Sequence, residues 1–187
     1  MTHIDSSTLR PMLQDSLAKG QKPRLTVTSN SMAPLFRAGD QVILEAATPN
    51  QLHPGDIVTI SDNTGLLTHR IWTIEADGFL TRGDHLLVFD ALSPPEAVLG
   101  RVVGCATQKR ILSLQTGSGK WLNRHLAALA RKEYRWLSHA KGTPTENEQV
   151  PFTAKAKIIH RFVFAWAVAV TFIIKLATRI KTGETTI

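Results

Sequence analysis

Six short apolar or β-branched runs follow one another between residues 25 and 107, and residues typical of tight turns separate them. The runs occupy residues 25–28, 41–45, 57–61, 66–74, 79–82 and 98–107. Gly-Asp, Asn-Thr-Gly, Asp-Gly and Pro-Pro sequences stand between them. Short strands joined by turns favour antiparallel pairing, because parallel strands need long crossover connections. We therefore expect a mainly β domain here.

Helices are expected on both sides of this β segment. Four apolar residues recur at helical spacing between an N-cap at Asp5 and a stop at Gly20, namely Leu9, Met12, Leu13 and Leu17. Residues 115–120 resemble a linker. Beyond it, apolar residues gather on one side of a second helix with basic residues on the rest, and residues 142–149 break that helix.

The third expected helix contains the longest apolar stretch of the chain. Residues 162–174 carry no charge, and as a helix they would measure about 20 Å against a hydrocarbon core of about 30 Å. Extension to residues 158–177 adds His160, Arg161 and Lys175. Three interpretations stay open: a transmembrane anchor, a helix lying in the membrane interface, and a helix buried against a partner.

Positive charge is concentrated behind the β segment. Residues 1–108 carry 8 basic and 11 acidic side chains, whereas residues 109–187 carry 14 and 4. Such asymmetry predicts a basic appendage on a compact domain. Because the basic residues flank an apolar helix, we expect an anionic membrane surface as the partner and no nucleic acid. The lone Cys105 excludes a disulfide framework and a zinc site built on cysteines.

Three regions follow from these patterns. Residues 1–114 form a β domain with its N-terminal helix, residues 115–152 a linker and basic amphipathic helix, and residues 153–187 an apolar helix that could anchor the chain in a membrane.

Candidate catalytic residues lie on the loops and strands of the β segment. Ser29 and Ser31 stand in a loop with Met32 and Pro34, and a serine hydroxyl needs a base to become a nucleophile. His69 is the candidate base, although a histidine on an apolar strand face is more often a core residue. Asp84 and Asp90 follow on the next loop, where an acid could orient the imidazole. The alternatives are an ordinary polar loop and a metal cluster of His69, Asp84, His85 and Asp90, which has no typical ligand spacing.

Five ordered sequence boxes over residues 25–105 resemble those of the type I signal peptidase family. They are Ser29-x-Ser31-Met-x-Pro with Gly39-Asp40, Pro54-Gly-Asp-Ile-Val, His69-Arg70-Ile, Gly83-Asp84 with Asp90, and Gly100-Arg-Val-Val-Gly. Bacterial members and the related autoproteolytic SOS repressors use a lysine base. His69 before Arg70 instead resembles the archaeal and endoplasmic-reticulum branch, which has a Ser-His site.

This resemblance implies a signal-peptidase-like β fold and a role for each candidate residue. Ser31 would be the nucleophile, His69 the general base and Asp90 the orienting acid, with Asp84 as a supporting carboxylate. Ser29 and the Ser31 backbone N–H would form the oxyanion hole. The substrate would be a precursor peptide or protein with small side chains at the first and third residues before the cut, and neither a metal nor a cofactor is expected.

The location and the competing functions complete the sequence-based expectations. Family members carry an N-terminal membrane anchor, and none is evident here. We therefore expect a membrane-associated protein with a cytoplasmic catalytic domain. The main alternative is a non-catalytic membrane-surface binding module that retains the peptidase fold. A self-cleaving transcriptional regulator is disfavoured, because about 24 residues before the β segment leave no room for a helix-turn-helix domain.

Overall fold

The computed structural model of the chain describes residues 6–62, 65–107, 110–138, 144–149 and 153–181. Three predicted features lie wholly or partly outside this range: the N-cap at Asp5, the centre of the turn at residues 63–64, and the start of the helix break at residues 142–143.

Seven strands and three long helices make up the described structure. The helices are α1 (Ser6–Ala18), α2 (Gly117–Ser138) and α3 (Ala154–Lys181). The strands are β1 (Arg24–Thr26), β2 (Gln41–Glu45), β3 (Ile57–Asp62), β4 (Gly65–Glu75), β5 (Gly78–Arg82), β6 (Val98–Thr107) and β7 (Arg110–Ser113). Short 3-10 turns occupy Pro49–Gln51 and Pro95–Ala97.

All seven strands pair antiparallel in one sheet. Their order is β1-β2-β6-β3-β4-β5, and β7 pairs with β6 beside this path. The prediction of a mainly β protein with an N-terminal helix and C-terminal helices is therefore confirmed. Irregular registers in the β2–β6, β3–β6 and β4–β5 pairs increase the local twist of the sheet.

The second helix begins earlier than the sequence pattern predicts. Residues 115–120 resemble a linker, yet α2 starts at Gly117. Gly119 explains the difference, since a Cβ atom there would lie 2.0 Å from the backbone oxygen of Ser113. The glycine allows the first turn of α2 to pack directly on the end of β7, so it serves close packing and not flexibility.

The largest hydrophobic cluster joins the sheet to all three helices. It contains residues from α1, the loop after β1, strands β2, β3 and β6, and both C-terminal helices, with Leu13, Phe36, Val102, Leu122 and Ala167 as examples. A second cluster contains residues of β4, β5, the loop after β5 and both C-terminal helices, and in it Trp72, Phe89 and Tyr134 meet edge to face. Both clusters adjoin the candidate catalytic residues.

Candidate active site

The loop that carries Ser31 is held by buried apolar residues and by its own hydrogen bonds. Met32, Leu35 and Phe36 are almost completely buried in the main cluster. The Ala38 N–H donates to the Asn30 side-chain oxygen at 3.1 Å. Because the residues directly after Ser31 are anchored, the serine backbone has a defined position while its side chain remains partly exposed.

His69 lies in the middle of β4 and pairs with Asp90. Its Nδ1 is 2.7 Å from Asp90 Oδ2, and the same oxygen accepts a 2.7 Å hydrogen bond from the Thr81 hydroxyl. A carboxylate only accepts hydrogen bonds, so the Nδ1 of His69 carries the donated proton. In the neutral ring this leaves the lone pair on Nε2, which is the tautomer that a general base requires.

Ser31 and His69 are neighbours, but they are not hydrogen-bonded to each other. Within the described part of the chain, the buried His69 Nε2 has no hydrogen-bond partner. Gly83 separates the two residues: a Cβ atom there would be 2.7 Å from the Ser31 carbonyl oxygen and 3.0 Å from His69 Nε2. The absence of a side chain at residue 83 therefore allows the serine loop to approach the imidazole.

Ser29 contacts the side chain of the candidate nucleophile. The two hydroxyl oxygens are 3.1 Å apart, and the Ser31 N–H donates to Ser29 Oγ at a long 3.5 Å. The two groups expected to form an oxyanion hole thus lie side by side. In this arrangement they contact each other, and a bound oxyanion would have to take the place of that contact.

The partner of Asp84 is Arg70, whereas the partner of Asp90 is His69. The Asp84 carboxylate forms a two-pronged ion pair with Arg70, with N–O distances of 2.7 and 2.6 Å. Arg70 is 2% exposed, and it also donates to the Gly55 carbonyl and to the Asn123 side-chain oxygen. Asp84 therefore stabilises a buried arginine that connects β4, the loop before β3, and α2.

Further charged and aromatic groups lie behind the site loop. The backbone N–H of His85 donates to the Ser31 carbonyl oxygen at 2.9 Å, and the imidazole ring of His85 packs on the ring of Phe164 in α3. The Nδ1 of His160 in α3 is hydrogen-bonded to the carboxylate of Glu133 in α2 at 2.7 Å. Burial and the nearby His160 lower the pKa of His85. Helix α3 is thus in contact with the loop that positions Ser31.

A second buried arginine, Arg82, lies next to Gly83 in this region. The Arg82 guanidinium lies 4.5 Å from the centre of the Trp72 ring, and its closest approach to Glu133 is 4.0 Å. Burial lowers the pKa of Arg82, while Glu133 opposes that shift. Contact with the aromatic face and with the carboxylate offsets part of the cost of burying this charge.

Metal binding has no candidate cluster in the part of the chain that the structure describes. Across those residues, no group of three or more His, Cys, Asp or Glu side chains is arranged to hold a metal ion. His69 and Asp90 contact each other, Asp84 binds Arg70, and His85 faces α3. The four residues considered as a metal cluster therefore take different partners.

Strand β4 is buried on both faces near the site, which departs from the alternation expected of a strand with one exposed face. His69, Arg70, Ile71 and Trp72 are all buried.

Two residues of the site had no role in the sequence analysis. Thr81 bonds to Asp90, and Asn123 bonds to Arg70 across 53 residues of sequence. No local pattern signals Asn123, whereas Thr81 could have been noticed by its position next to the Gly83-Asp84 box.

Comparison of the sequence with known protein families and with curated proteins found no match. Any functional conclusion for this chain therefore depends on its own residues and their geometry.

Proposed function

We propose that the protein is a serine endopeptidase with a Ser31-His69-Asp90 site, on a β domain of the signal peptidase type. The observation that carries the proposal is the bond between His69 Nδ1 and Asp90, which leaves the Nε2 lone pair available beside the Ser31 loop. An imidazole oriented by a carboxylate and close to a serine is the arrangement that nucleophilic acyl transfer needs.

The reaction would proceed through an acyl-enzyme. For this step the Ser31 hydroxyl would have to turn from Ser29 towards His69, by a change of its χ1 rotamer. His69 Nε2 takes the hydroxyl proton as Oγ bonds to the substrate carbonyl carbon. The protonated imidazole then gives that proton to the departing amine as the peptide bond breaks, and water hydrolyses the ester by the reverse sequence.

The oxyanion of each tetrahedral intermediate would be stabilised by Ser29 and the Ser31 N–H. These donors are adjacent and belong to a loop that is fixed by buried neighbours. Fixed donors aimed at developing negative charge contribute about 3–4 kcal/mol each in a dry site. Asp84 would act indirectly, by keeping Arg70 in place and with it the contacts between β4, the loop before β3 and α2.

The substrate class follows from the sheet edge next to the nucleophile. Strand β1 is the first strand in the sheet order, so no strand of the described residues pairs with its outer edge, and it ends three residues before Ser29. An extended peptide could pair with this edge and place its scissile bond near Ser31. The resemblance to signal peptidases suggests a leader-bearing precursor with small side chains before the cut.

One observation favours a different function, a non-catalytic binding module. The Ser31 hydroxyl is hydrogen-bonded to Ser29, and the buried His69 Nε2 has no hydrogen-bond partner among the residues that the structure describes. A chain that retains the fold and binds a membrane through its C-terminal helices could keep these residues without using them.

The test is to incubate the full-length protein with a library of extended peptides and to identify the products by mass spectrometry. Three variants accompany it: Ser31→Ala, His69→Gln and, as a control, Ser118→Ala, which changes an exposed serine in α2. We expect cleavage by the native protein and the control, and a loss of about 10³-fold or more in the other two. Equal cleavage by Ser31→Ala would exclude the site. A native protein that is folded but cleaves no peptide would support the binding module.

For location, we propose the cytoplasmic side of a membrane. One helix, α3, is long and apolar enough to cross a membrane by length and composition. The basic residues around it favour the cytoplasmic leaflet, which carries the negative surface potential. A reporter fused to residue 1 that is active only in the cytoplasm checks this location, and activity of an exported reporter would contradict it.

A further inference from the structure

Helix α3 has two different faces over residues 154–177. Ala156, Ala167 and Thr171 are buried against the rest of the protein. On the opposite side lie six large exposed apolar residues: Ile158, Phe162, Trp166, Phe172, Ile173 and Leu176. Successive members are four, four, six, one and three residues apart, and at about 3.6 residues per turn all six lie on one side of the helix. We call these six residues the apolar stripe.

Helix α2 extends this stripe through an aromatic contact. Trp121 of α2 stacks on His125 with a ring separation of 4.8 Å, and Trp166 Nε1 donates to His125 Nε2 at 3.4 Å. Both tryptophans are more than half exposed. Tryptophan rings that are apolar on their faces and polar at the N–H are typical of the boundary between lipid and water.

Basic residues surround the apolar stripe. Lys155, Lys157 and Arg161 are exposed in the first two turns of α3, and Lys120 and Arg124 are exposed on α2 near Trp121. The region from residue 109 onward has 14 basic and 4 acidic side chains. This charge complements an anionic lipid surface, which attracts such residues to the headgroups.

The inner face of α3 argues against a spanning orientation. Helix α3 packs along most of its length on α2 and on the main cluster, from Ala156 to Ile174. Its Lys175 also donates to the Leu35 carbonyl oxygen at 2.9 Å, and His160 bonds to Glu133. A helix that crossed the bilayer would lose these contacts and expose their polar groups to hydrocarbon, at a high cost.

From these observations we infer that α3 lies in the plane of an anionic membrane. The apolar stripe and Trp121 enter the headgroup region, while the inner face of the helix stays packed on the protein. Lys175 contacts Leu35, Phe164 contacts His85, and the His85 backbone N–H donates to Ser31, so this orientation fixes the position of the Ser31 loop relative to the lipid surface. The docking does not require the proposed peptidase activity, so the two can fail separately.

The first experiment measures binding of the full-length protein to vesicles by flotation. One set of vesicles is phosphatidylcholine alone, and the other also contains phosphatidylglycerol. We expect binding to the anionic vesicles that weakens with added salt. The Phe162→Glu and Trp166→Glu double variant should bind at least about tenfold more weakly, because each change removes a large apolar side chain from the interface. Both residues are exposed, so the variant should keep its fold.

The control is Met12→Glu, which places one glutamate, half of the charge change of the double variant, on an apolar residue of α1 that is 56% exposed. It should bind as the native protein does. Equal binding by the double variant, or no binding by the native protein to either set of vesicles, would overturn the inference. Oligomers that dissociate in the double variant, without vesicle binding, would identify the stripe as a protein interface and would also overturn it.

The second experiment separates an in-plane helix from a spanning one. Single cysteines at residues 158, 166 and 176 carry spin labels whose depth in the bilayer is measured. Burial raises the pKa of the native Cys105 to about 11, so this thiol stays protonated and does not compete for the label. Similar, shallow depths at all three positions support the inference. A deep label at residue 166 between two shallow ends would show a spanning helix and would overturn it.

Discussion

At the scale of single residues, two carboxylates six positions apart have different tasks. Asp90 accepts hydrogen bonds from His69 and Thr81, whereas both oxygens of Asp84 bind Arg70. The sequence places both acids on the loop after β5, and it left open which one contacts the imidazole. The geometry assigns that contact to Asp90. The difference between the two acids can be measured, because one should affect chemistry and the other stability.

We predict that Asp90→Asn lowers the rate of cleavage, whereas Asp84→Asn lowers the stability of the fold. The first change would favour the wrong imidazole tautomer, so cleavage should fall by about 10⁴-fold with little loss of stability. The second would leave the buried Arg70 charge without its ion-pair partner, which should lower the free energy of unfolding by about 3–5 kcal/mol. Peptide cleavage and urea denaturation of the two variants measure these quantities. A large loss of stability in Asp90→Asn with unchanged activity in both would contradict the assignment.

At the scale of secondary-structure elements, the contact between α3 and the site loop contains His85, whose pKa is lowered. The ring of His85 packs on Phe164, with His160 nearby on α3 and Glu133 on α2. Burial and His160 lower the pKa of His85 below its ordinary value of 6.5, although Glu133 opposes the shift. The unfolded chain therefore binds this proton more readily than the folded protein does.

We predict that His85 makes the protein less stable in mild acid. A group with a lowered pKa in the folded state contributes stability that is present above pH 6.5 and is lost as the pH falls below it. Urea denaturation between about pH 7.5 and 5 should show this loss. It should be smaller in His85→Phe, while the exposed His53→Phe should behave as the native protein. Identical curves for His85→Phe and the native protein would contradict the prediction.

At the scale of the whole molecule, the C-terminal helices belong to the same hydrophobic cluster as the sheet. Leu122 and Leu126 of α2 and Ala167 of α3 pack with Leu13 of α1 and Phe36 of the serine loop. Arg70 also donates a hydrogen bond to Asn123 of α2. The division after residue 114 follows a change in sequence composition, but the packing continues across it.

We predict that a chain ending at residue 114 does not fold stably. It would lose two leucines that are each worth about 2–5 kcal/mol when buried, and a small domain is stable by only about 5–15 kcal/mol in total. Circular dichroism during urea denaturation should show no cooperative transition. A chain ending at residue 181 retains α2 and α3 and serves as the control. A cooperative transition in the shorter chain would show that residues 1–114 are an independent domain.

The predictions from sequence were most accurate where the pattern is local. Five of the six predicted runs match their strands to within one residue at each end, and the first differs by up to two. Period-two patterns and turn residues depend on neighbours in sequence, so they can be interpreted without the fold. Strand β7 was missed because no Gly, Pro, Asn or Asp stands between it and β6, so no turn residue marks a separate run. The start of α2 was missed because Gly117 and Gly119 are typical of linkers.

Local sequence patterns predict that the chain is mainly β with flanking helices, and they identify Ser29, Ser31, His69, Asp84 and Asp90 as candidates. The fold alone shows that Asp90 contacts His69, that Asp84 binds Arg70, and that the serine and the imidazole adjoin without a hydrogen bond. It also shows which side of α3 packs inward. These facts depend on contacts between residues far apart in the chain, which no local pattern records.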